Sequence, residues 1–247
     1  MIELFNTLIF DPLYNGLIFL VSVVPFADVG IAVILLTILV RIILFPLSLK
    51  ATRTQMLVRG LEPELTKIKE KYKKDKQEQA KQTMALYKEK KINPFSSFLF
   101  IFIQIPIILG LYWVFFRGGL PEVNVDILYS FISTPELINM EFLGLVDVSE
   151  RNIILALLAG ITQFFQAKLS LPPLKKRSQN PSLKDDLARS FHMQMRYILP
   201  IIVVVIAYTI SAAIAIYWTT SNLFSIGQEI FVRHQMKKEK EKQSPIS

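Results

Sequence analysis

Long apolar stretches that carry almost no charge limit the possible folds of this chain more than any other feature. They occupy residues 30–49, 93–116, 152–171 and 197–232. Each of the first three has about the 20 residues that an α-helix needs to cross ~30 Å of hydrocarbon. A soluble core does not use runs this apolar. The sequence therefore predicts an all-α integral membrane protein.

The last stretch is too long for a single crossing. Residues 197–232 would measure about 54 Å as one helix, which exceeds the hydrocarbon thickness. We predict two short crossings joined by a turn near Ser211, Ala212 and Ala213, although no proline or glycine marks that turn. Two crossings place the basic residues after Val232 on the same side as the other basic segments, and the total becomes five transmembrane helices.

Charge is distributed unevenly between the loops. Lys and Arg are dense in residues 50–91 and recur at 175–177 and after residue 232, whereas residues 117–151 are acidic. A formal net charge of +8 could indicate a nucleic-acid partner, but here the basic residues lie between apolar stretches, where they report topology. The positive-inside rule predicts an N-terminus outside and a C-terminus in the cytosol.

The N-terminal residues 2–26 are apolar but contain Asp11-Pro12, Asn15-Gly16 and Pro25. We predict a helix that lies in the outer membrane interface. The alternative is a sixth transmembrane helix, which would place the N-terminus inside without a basic residue to hold it there.

These arguments divide the chain into ten segments. They are an extracytosolic interfacial segment (1–27), TM1 (28–50), a cytosolic helical hairpin (51–92), TM2 (93–116), an extracytosolic loop (117–151), TM3 (152–171), a cytosolic loop (172–192), TM4 (193–211), TM5 (213–232) and a cytosolic basic tail (233–247).

The predicted hairpin is highly charged outside a thin apolar seam. Glu62-Pro63-Glu64 is typical of a helix start, and a turn near Lys74-Asp75 leads into a second helix. A solvated, mobile hairpin without chemistry is one interpretation. The other is a docking surface for substrate or ribosome, with the recruiting residues Lys67, Lys71, Lys73 and Lys74.

Arg41 is the most informative single residue, because it lies near the middle of the first apolar stretch. A charge at that depth costs ~2.5–3.5 kcal/mol on insertion scales and often marks a functional site. A structural salt bridge is the alternative, but Glu229, near a cytosolic end, is the single acid in the four apolar stretches. We therefore expect Arg41 to be hydrated in a cavity open to the cytosol.

Polar residues of the other spans could line the same cavity. Interhelical hydrogen bonding is the alternative role for each of them. The residues we assign to the groove are Arg41, Thr37, Gln104, Gln163, Trp218 and Asn222, and Gln166, Thr219 and Ser221 are further polar positions in the spans.

Catalytic and metal-binding patterns are absent from the sequence. There is no cysteine, which excludes disulfides, thiolate zinc sites and cysteine nucleophiles. The two histidines, His192 and His234, lack metal-ligand spacing, and no nucleotide-binding or nucleophile-elbow motif occurs. We predict that the chain is not an enzyme and needs no cofactor.

Several motifs in order resemble the YidC-type membrane protein insertases. They are GIAVILLTILVRIILFPL, LEPELTKIKEKY, INPF, QIPIILGLYW, GITQFFQAKLS and YWTTSNLFSIGQ, which together extend over most of the chain. The resemblance implies a five-helix core with a groove open to cytosol and lipid. In this chain the groove arginine of the family would be Arg41, and the cytosolic hairpin would be residues 51–92.

Two functions remain open from the sequence. The first is an insertase in the cytoplasmic (inner or plasma) membrane of a bacterium. It would move the hydrophilic flank of a nascent membrane protein through the groove and release the apolar segment into lipid. Its partners would be nascent membrane proteins, the ribosome and the lipid bilayer, with the Sec translocon and the signal recognition machinery as further candidates. The second is a small-solute transporter or anion channel that uses Arg41 as its binding charge.

Overall fold

The fold is described from a computed structural model that covers residues 2–24, 28–93, 96–118, 120–135, 137–171, 190 and 192–243. For residues 2, 96–104, 116, 117, 240, 242 and 243 it describes the backbone alone. The predicted loop 172–192 falls almost entirely outside the described residues, as do Pro94 and residues 244–247.

The described part of the chain is mostly helical. Its helices are α1 (Ile2–Phe5), a π-helical segment (Asn6–Phe10), α2 (Asp11–Val23), α3 (Val29–Ile43), α4 (Phe45–Gly60), α5 (Glu62–Lys71), α6 (Lys76–Glu89), α7 (Ser96–Arg117), a 3-10 turn (Val125–Ile127), α8 (Ile153–Ser170), a second π-helical segment (Gln194–Ile198), α9 (Leu199–Ile210) and α10 (Ala212–Gln243). Two short antiparallel strands, β1 (Glu141–Phe142) and β2 (Val146–Asp147), form a hairpin.

The chain divides into two compact units. One consists of Met1–Ile43 with Pro106–Ile230, and the other of Leu44–Ile105 with Phe231–Ser247. The first unit contains α1–α3, α8 and α9, together with the loop that holds the β-hairpin. The second contains α4, α5 and α6.

The N-terminal helix continues through the positions at which the sequence indicates a break. Pro12 falls in the first turn of α2, directly after the π-helical segment. A proline there lacks the N–H that an α-helix interior would need, and the wider π turn accommodates its ring. Asp11 and Pro12 therefore begin α2 without interrupting the helical region.

Polar side chains of α2 bond to the loop 118–133. Tyr14 donates to the carbonyl of Gly118 at 3.0 Å and accepts from the N–H of Asn124 at 2.8 Å. Asn15 donates to the carbonyl of Ile127 and accepts from the N–H of Tyr129. Asn15 therefore does not end the helix, because its amide is used to attach the loop.

Helix α3 ends earlier than the predicted segment 28–50. It stops at Ile43, and α4 begins at Phe45 with Pro46 in its first turn. A proline has no backbone N–H to donate to a hydrogen bond, and it disfavours the helical conformation of the residue before it. A helix boundary next to Pro46 is therefore expected. Arg41 consequently lies in the last turn of α3, and not at the centre of a longer helix.

Helix α8 starts where a local signal places it. The side chain of Asn152 accepts a hydrogen bond from the N–H of Leu155 at 3.0 Å, which makes Asn152 the N-cap. The helix packs against α9 through small side chains. Their cluster contains Ala156, Ala159, Val203, Ala207 and Ala215. Small residues let helix backbones approach closely where hydrophobic attraction between helices is weak.

The helix break between α9 and α10 is a single extended residue, Ser211, which lies in the predicted turn. The first N–H groups of α10 are bonded to the preceding loop. Ala212 donates to the carbonyl of Glu150 at 2.7 Å, and Ala213 donates to the carbonyl of Val148 at 2.9 Å. The buried hydroxyl of Ser211 makes no hydrogen bond within the described residues, so distant loop carbonyls and not a side-chain cap satisfy these N–H groups.

The same loop also caps α3. Asp28 accepts from the N–H of Ile31 at 2.7 Å and from the N–H of Leu143 at 2.9 Å. Val29 donates to the carbonyl of Asn139 at 2.9 Å. The predicted loop 117–151 is therefore an ordered cap for two helices.

In the second unit, α5 and α6 contact each other at the position predicted for the hairpin. Lys90, just after α6, lies 3.8 Å from the carboxylate of Glu64 near the start of α5. Asp75 caps α6 by accepting from the N–H of Glu78. That this pair is a cytosolic hairpin stays a prediction.

The predicted basic tail is not separate from the last helix, because α10 extends to Gln243. Arg53 of α4 forms an ion pair with Glu239 at 2.5 Å. The boundary predicted at residue 233 therefore has no counterpart in the backbone.

Two described helical stretches are long and apolar enough to cross a membrane, Glu3–Val23 and Ile153–Ser170. A third arises if α3 and α4 are counted together as one broken span. The fold class of a helical membrane protein agrees with this result. The five-span count and the interfacial placement of residues 1–27 stay predictions.

The packing of α8 on α9 predicts that Gly160 is intolerant of a side chain. A Cβ at Gly160 would overlap Val204 and lie 3.1 Å from the carbonyl oxygen of Pro200. Gly160→Ala should therefore lower the free energy of unfolding by ~1–3 kcal/mol through overpacking.

Gly227→Ala in α10 is the matched control, because nothing lies within 4 Å of its Cβ position. Alanine there should raise the free energy of unfolding by up to ~1 kcal/mol through its higher helix propensity. Thermal unfolding followed by tryptophan fluorescence in detergent measures both. Equal melting temperatures would contradict the packing argument.

Candidate functional site

Arg41 is buried against α10. Its side chain is only 7% exposed, and its guanidinium donates a hydrogen bond to the hydroxyl of Ser221. Both residues belong to the first compact unit. The contact joins α3 to α10 in otherwise apolar surroundings, where a charged hydrogen bond is stronger than in water.

The hydroxyl of Ser221 is a neutral acceptor for the buried guanidinium of Arg41. The sequence predicts hydration of this guanidinium, because the apolar stretches contain a single acid, Glu229. Buried charges need hydrogen bonds, and a hydroxyl supplies an acceptor as well as a carboxylate does. The contact with Ser221 does not decide between the salt-bridge alternative and hydration, and a cavity open to the cytosol around Arg41 stays a prediction.

Thr37 lies one turn before Arg41 in α3 and is also buried. Its hydroxyl donates to the carbonyl of Val33 in the same helix at 2.6 Å. Threonine satisfies its hydroxyl in this way without an external partner. Its position next to Arg41 is therefore as predicted from the helix period, but its bond is internal to α3.

Asn222 connects α10 to α8. Its amide lies 3.4 Å from the carbonyl oxygen of Ala159 and 3.3 Å from the hydroxyl of Thr162. This is interhelical hydrogen bonding, the alternative role considered for the polar residues of the spans. Thr162 was not among the predicted positions.

A chain of hydrogen bonds follows one face of α8 and ends on α10. Gln163 donates to Gln166 at 3.3 Å, and Gln166 donates to Ser170 at 3.1 Å. The hydroxyl of Ser170 then donates to the carboxylate of Glu229, which is buried. We call Gln163, Gln166, Ser170 and Glu229 the polar seam. A spacing of three and four residues on α8 is the signal that could have identified Ser170.

The remaining predicted residues take no part in the hydrogen bonds described above. The side chain of Gln104 lies outside the described residues. Trp218 is half-buried and packs against the alanine and valine cluster between α8 and α9. The predicted recruiting residues Lys67, Lys71, Lys73 and Lys74 are exposed, and the ammonium of Lys71 lies 5.2 Å from the ring centre of Tyr72.

An apolar cavity of about 440 Å³ lies between α3, α8 and α10. It is lined by Ile34, Ile38, Phe142, Leu155, Leu158, Ile216, Thr219, Thr220, Leu223 and Phe224. The hydroxyl of Thr219 is buried and makes no hydrogen bond within the described part of the chain. A cavity of this size can hold a hydrocarbon segment.

No cluster of three or more His, Asp or Glu side chains that could hold a metal ion occurs among the described residues. The expectation that the chain needs no cofactor stays a prediction. What the described site offers is a buried cation, the polar seam and an apolar cavity, an arrangement suited to binding.

The Arg41–Ser221 contact predicts that two serines of α10 contribute unequally to the stability of the protein. Ser221→Ala removes an acceptor from a buried guanidinium and should cost ~1–3 kcal/mol. Ser225→Ala is the matched control, because within the described residues the Ser225 hydroxyl bonds only to the Ser221 carbonyl of its own helix. Thermal unfolding in detergent compares the two variants. If Ser225→Ala is as destabilising as Ser221→Ala, the contact with Arg41 adds no stability.

Comparisons with known proteins agree with the resemblance in the sequence. A sequence model of the 60Kd inner membrane protein family matches residues 19–240. The protein named membrane protein insertase YidC in Clostridium tetani is 32% identical over 209 residues, which cover 85% of this chain and 83% of that protein. Its namesake in Fusobacterium nucleatum is 34% identical over 82% of this chain and 85% of that protein.

The relative of the same name in Francisella tularensis subsp. novicida is 33% identical over 83% of this chain but only 32% of that longer protein. None of these names denotes a catalytic activity, in agreement with the prediction that the chain is not an enzyme. The resemblance is therefore confirmed. With its match over residues 19–240, this chain belongs to the 60Kd inner membrane protein family, the family of the YidC insertases.

Proposed function

We propose that this chain is a membrane protein insertase of the bacterial cytoplasmic membrane. It would bind the hydrophilic flank of a nascent membrane protein near Arg41 and release the adjoining apolar segment into lipid. The observation that carries the proposal is the buried guanidinium of Arg41, held by Ser221 between apolar helices. The names of the relatives support the same function.

Exchange of hydrogen-bond partners is the central step of this mechanism. In the described structure Arg41 donates to the neutral hydroxyl of Ser221. A carboxylate of a client flank would bind the same guanidinium more strongly, because both partners then carry charge and a bidentate pair becomes possible. The low dielectric around Arg41 strengthens that attraction, and it offsets part of the cost of moving the client's acid out of water.

The apolar cavity would receive the part of the client that follows the flank. Its lining from α3, α8 and α10 is hydrocarbon except at Thr219 and Thr220. Burial of apolar side chains in it adds favourable free energy of ~25 cal/mol per Å². The hydroxyl of Thr219 would donate to a client carbonyl that passes the cavity wall.

The proposed topology places the N-terminus outside and the C-terminus in the cytosol. The side chains of Tyr14 and Asn15 bond to the acidic loop 118–133. A Cβ at Gly16 would lie 2.9 Å from Leu36 of α3, and one at Gly110 would lie 2.8 Å from Leu13. These contacts attach α2 to the loop and pack it against α3 and α7. The interfacial placement of residues 1–27 is proposed from the positive-inside rule alone.

The α5–α6 pair would recruit clients on the cytosolic side. Its four lysines at positions 67, 71, 73 and 74 are exposed, so they can approach ribosomal RNA or anionic lipid headgroups. The ribosome, the Sec translocon and the signal recognition machinery are the proposed partners, together with nascent membrane proteins themselves.

The first functional prediction concerns the charge of Arg41. Arg41→Ala should slow insertion of a client with an acidic flank roughly 10- to 100-fold, which corresponds to loss of a charged hydrogen bond of ~1.5–3 kcal/mol. Arg41→Lys should retain much of the activity, because it keeps a cation. Insertion into proteoliposomes, scored by protease protection of the flank, measures both.

The matched control for this experiment is the client. The same client with Asn in place of its flanking acids should be inserted by wild type and Arg41→Ala at similar rates. A folded Arg41→Ala variant that inserts the acidic client as fast as wild type would refute a role of the charge.

The second functional prediction concerns recruitment. Changing Lys67, Lys71, Lys73 and Lys74 to Gln should weaken ribosome binding, and the difference from wild type should shrink as salt screens the charges. The control changes Lys76, Lys81 and Lys88 of α6 to Gln. Co-sedimentation with ribosomes over a salt series measures both variants. If the lysines act only through general charge, both variants should lose binding in proportion to the charges removed, and that result would contradict a local site.

A further inference from the structure

The tip of the β-hairpin exposes leucines that nothing in the described chain covers. Leu143 and Leu145 are 62% and 82% exposed and flank Gly144 between the two strands. Residues 142–146 read FLGLV and carry no charge. Exposed side chains of this size on both sides of a turn are unfavourable in water, and a cluster of them indicates an interaction surface.

The backbone of the tip is unusual at the same place. Leu143 has a φ of +55°, in the left-handed region that favours glycine and asparagine. Gly144, which follows, has a φ of +68°. A leucine at the first of these positions is a poor choice for the turn itself, so its apolar side chain needs another explanation.

The depth of the hairpin is set by its contacts with α3. The N–H of Leu143 bonds to Asp28, directly before the first turn of α3. The ring of Phe142 packs on Gly30, where a Cβ would overlap it. The same ring lines the cavity together with Ile34, which lies ~9 Å along the helix from Asp28. The hairpin therefore lies beside the outer turns of an apolar helix.

The surface beside the hairpin is also apolar. Ile154, in the first turn of α8, is 73% exposed, and the loop that carries the hairpin leads into this helix at Asn152. Helix α8 is one of the two described stretches with the length and composition of a membrane span. The loop that carries the exposed leucines therefore leads directly into a helix whose composition suits contact with lipid.

The charged residues of the hairpin lie at its other end. Glu141 and Asp147 face each other in the strand register, and both are exposed. Two acids at this end suit contact with water, whereas the tip offers no cation that would need an anionic headgroup. The chemistry that fits is therefore the acyl-chain region of a lipid leaflet of any headgroup charge.

We propose that the Leu143-Gly144-Leu145 tip is a membrane anchor that inserts both leucines into the leaflet on the side of residues 118–151. Because the same loop caps α3 and α10, the anchor holds the starts of both helices at a defined depth. The inference rests on the membrane-spanning character of the chain and not on the client groove, so it stands or falls separately from the insertase proposal.

Depth-dependent fluorescence quenching tests this anchor. The chain contains no cysteine, so Leu145→Cys can be labelled with the environment-sensitive fluorophore NBD in the otherwise unchanged full-length protein. Nanodiscs of phosphatidylcholine with one protein each are the sample. We expect strong quenching by lipids that carry a nitroxide on the upper acyl chain and weak quenching by aqueous iodide.

Glu141→Cys, at the other end of the hairpin, is the matched control, and its label should show the reverse pattern. Quenching of the Leu145 label by iodide to the same extent as that of the Glu141 label would overturn the anchor. Shielding from iodide without nitroxide quenching would also overturn it, because the tip would then be covered by protein.

A second variant separates anchoring from turn formation. Leu143→Gly relieves the positive φ and should leave the melting temperature in detergent unchanged or higher. If the leucines anchor the tip, nitroxide quenching of the Leu145 label should fall severalfold in this background. A turn without lipid contact would leave the depth of the label unchanged, and that result would contradict the proposal. Leu143→Cys with the same two quenchers gives an independent reading.

Discussion

Every backbone N–H at the start of a helix needs an acceptor, and in apolar surroundings water does not provide one. Helices α3 and α10 meet this requirement in the same short loop, through the carbonyls of Asn139, Val148 and Glu150. Asp28, directly before α3, caps that helix and also bonds to the loop at Leu143. The relative register of the two helices follows from this shared cap. Arg41 lies ~18 Å along α3 from Val29, and Ser221 lies ~14 Å along α10 from Ala212. Because helical side chains tilt towards the N-terminus, the long side chain of Arg41 can cover this difference and meet the hydroxyl of Ser221.

Features encoded locally were predictable from the sequence. The start of α8 follows from Asn152 as an N-cap, and the apolar lengths indicate a helical membrane protein. The turn at Ser211 has no local signal, and only the parity of charges pointed to it. The position of this turn depends on distant contacts, because the acceptors for the N–H groups of Ala212 and Ala213 come from residues more than 60 positions earlier. The bonds of the Asn15 amide to Ile127 and Tyr129 could not be predicted either, because the partners lie more than 110 positions later in the chain.

In the candidate site, too, local features were predictable from the sequence and contacts between distant residues were not. Arg41 stands out in the sequence because a charge inside an apolar stretch is costly. Its partner Ser221 is 180 positions away, and no spacing rule connects them. The polar seam was predictable in part. The period of α8 places Gln163, Gln166 and Ser170 on one face, but their link to Glu229 of α10 requires the packing of the two helices.

The cap of α10 uses main-chain carbonyls, and this has a consequence for how related chains can diverge. Any residue at positions 148 and 150 presents the same oxygen, so the identities of Val148 and Glu150 are not constrained by capping. The number of residues between them and α8 is constrained, because an insertion would move both carbonyls away from Ala212 and Ala213. Substitutions should therefore accumulate at the exposed position 150 more readily than changes in loop length, whereas the burial of Val148 still restricts the size of its side chain.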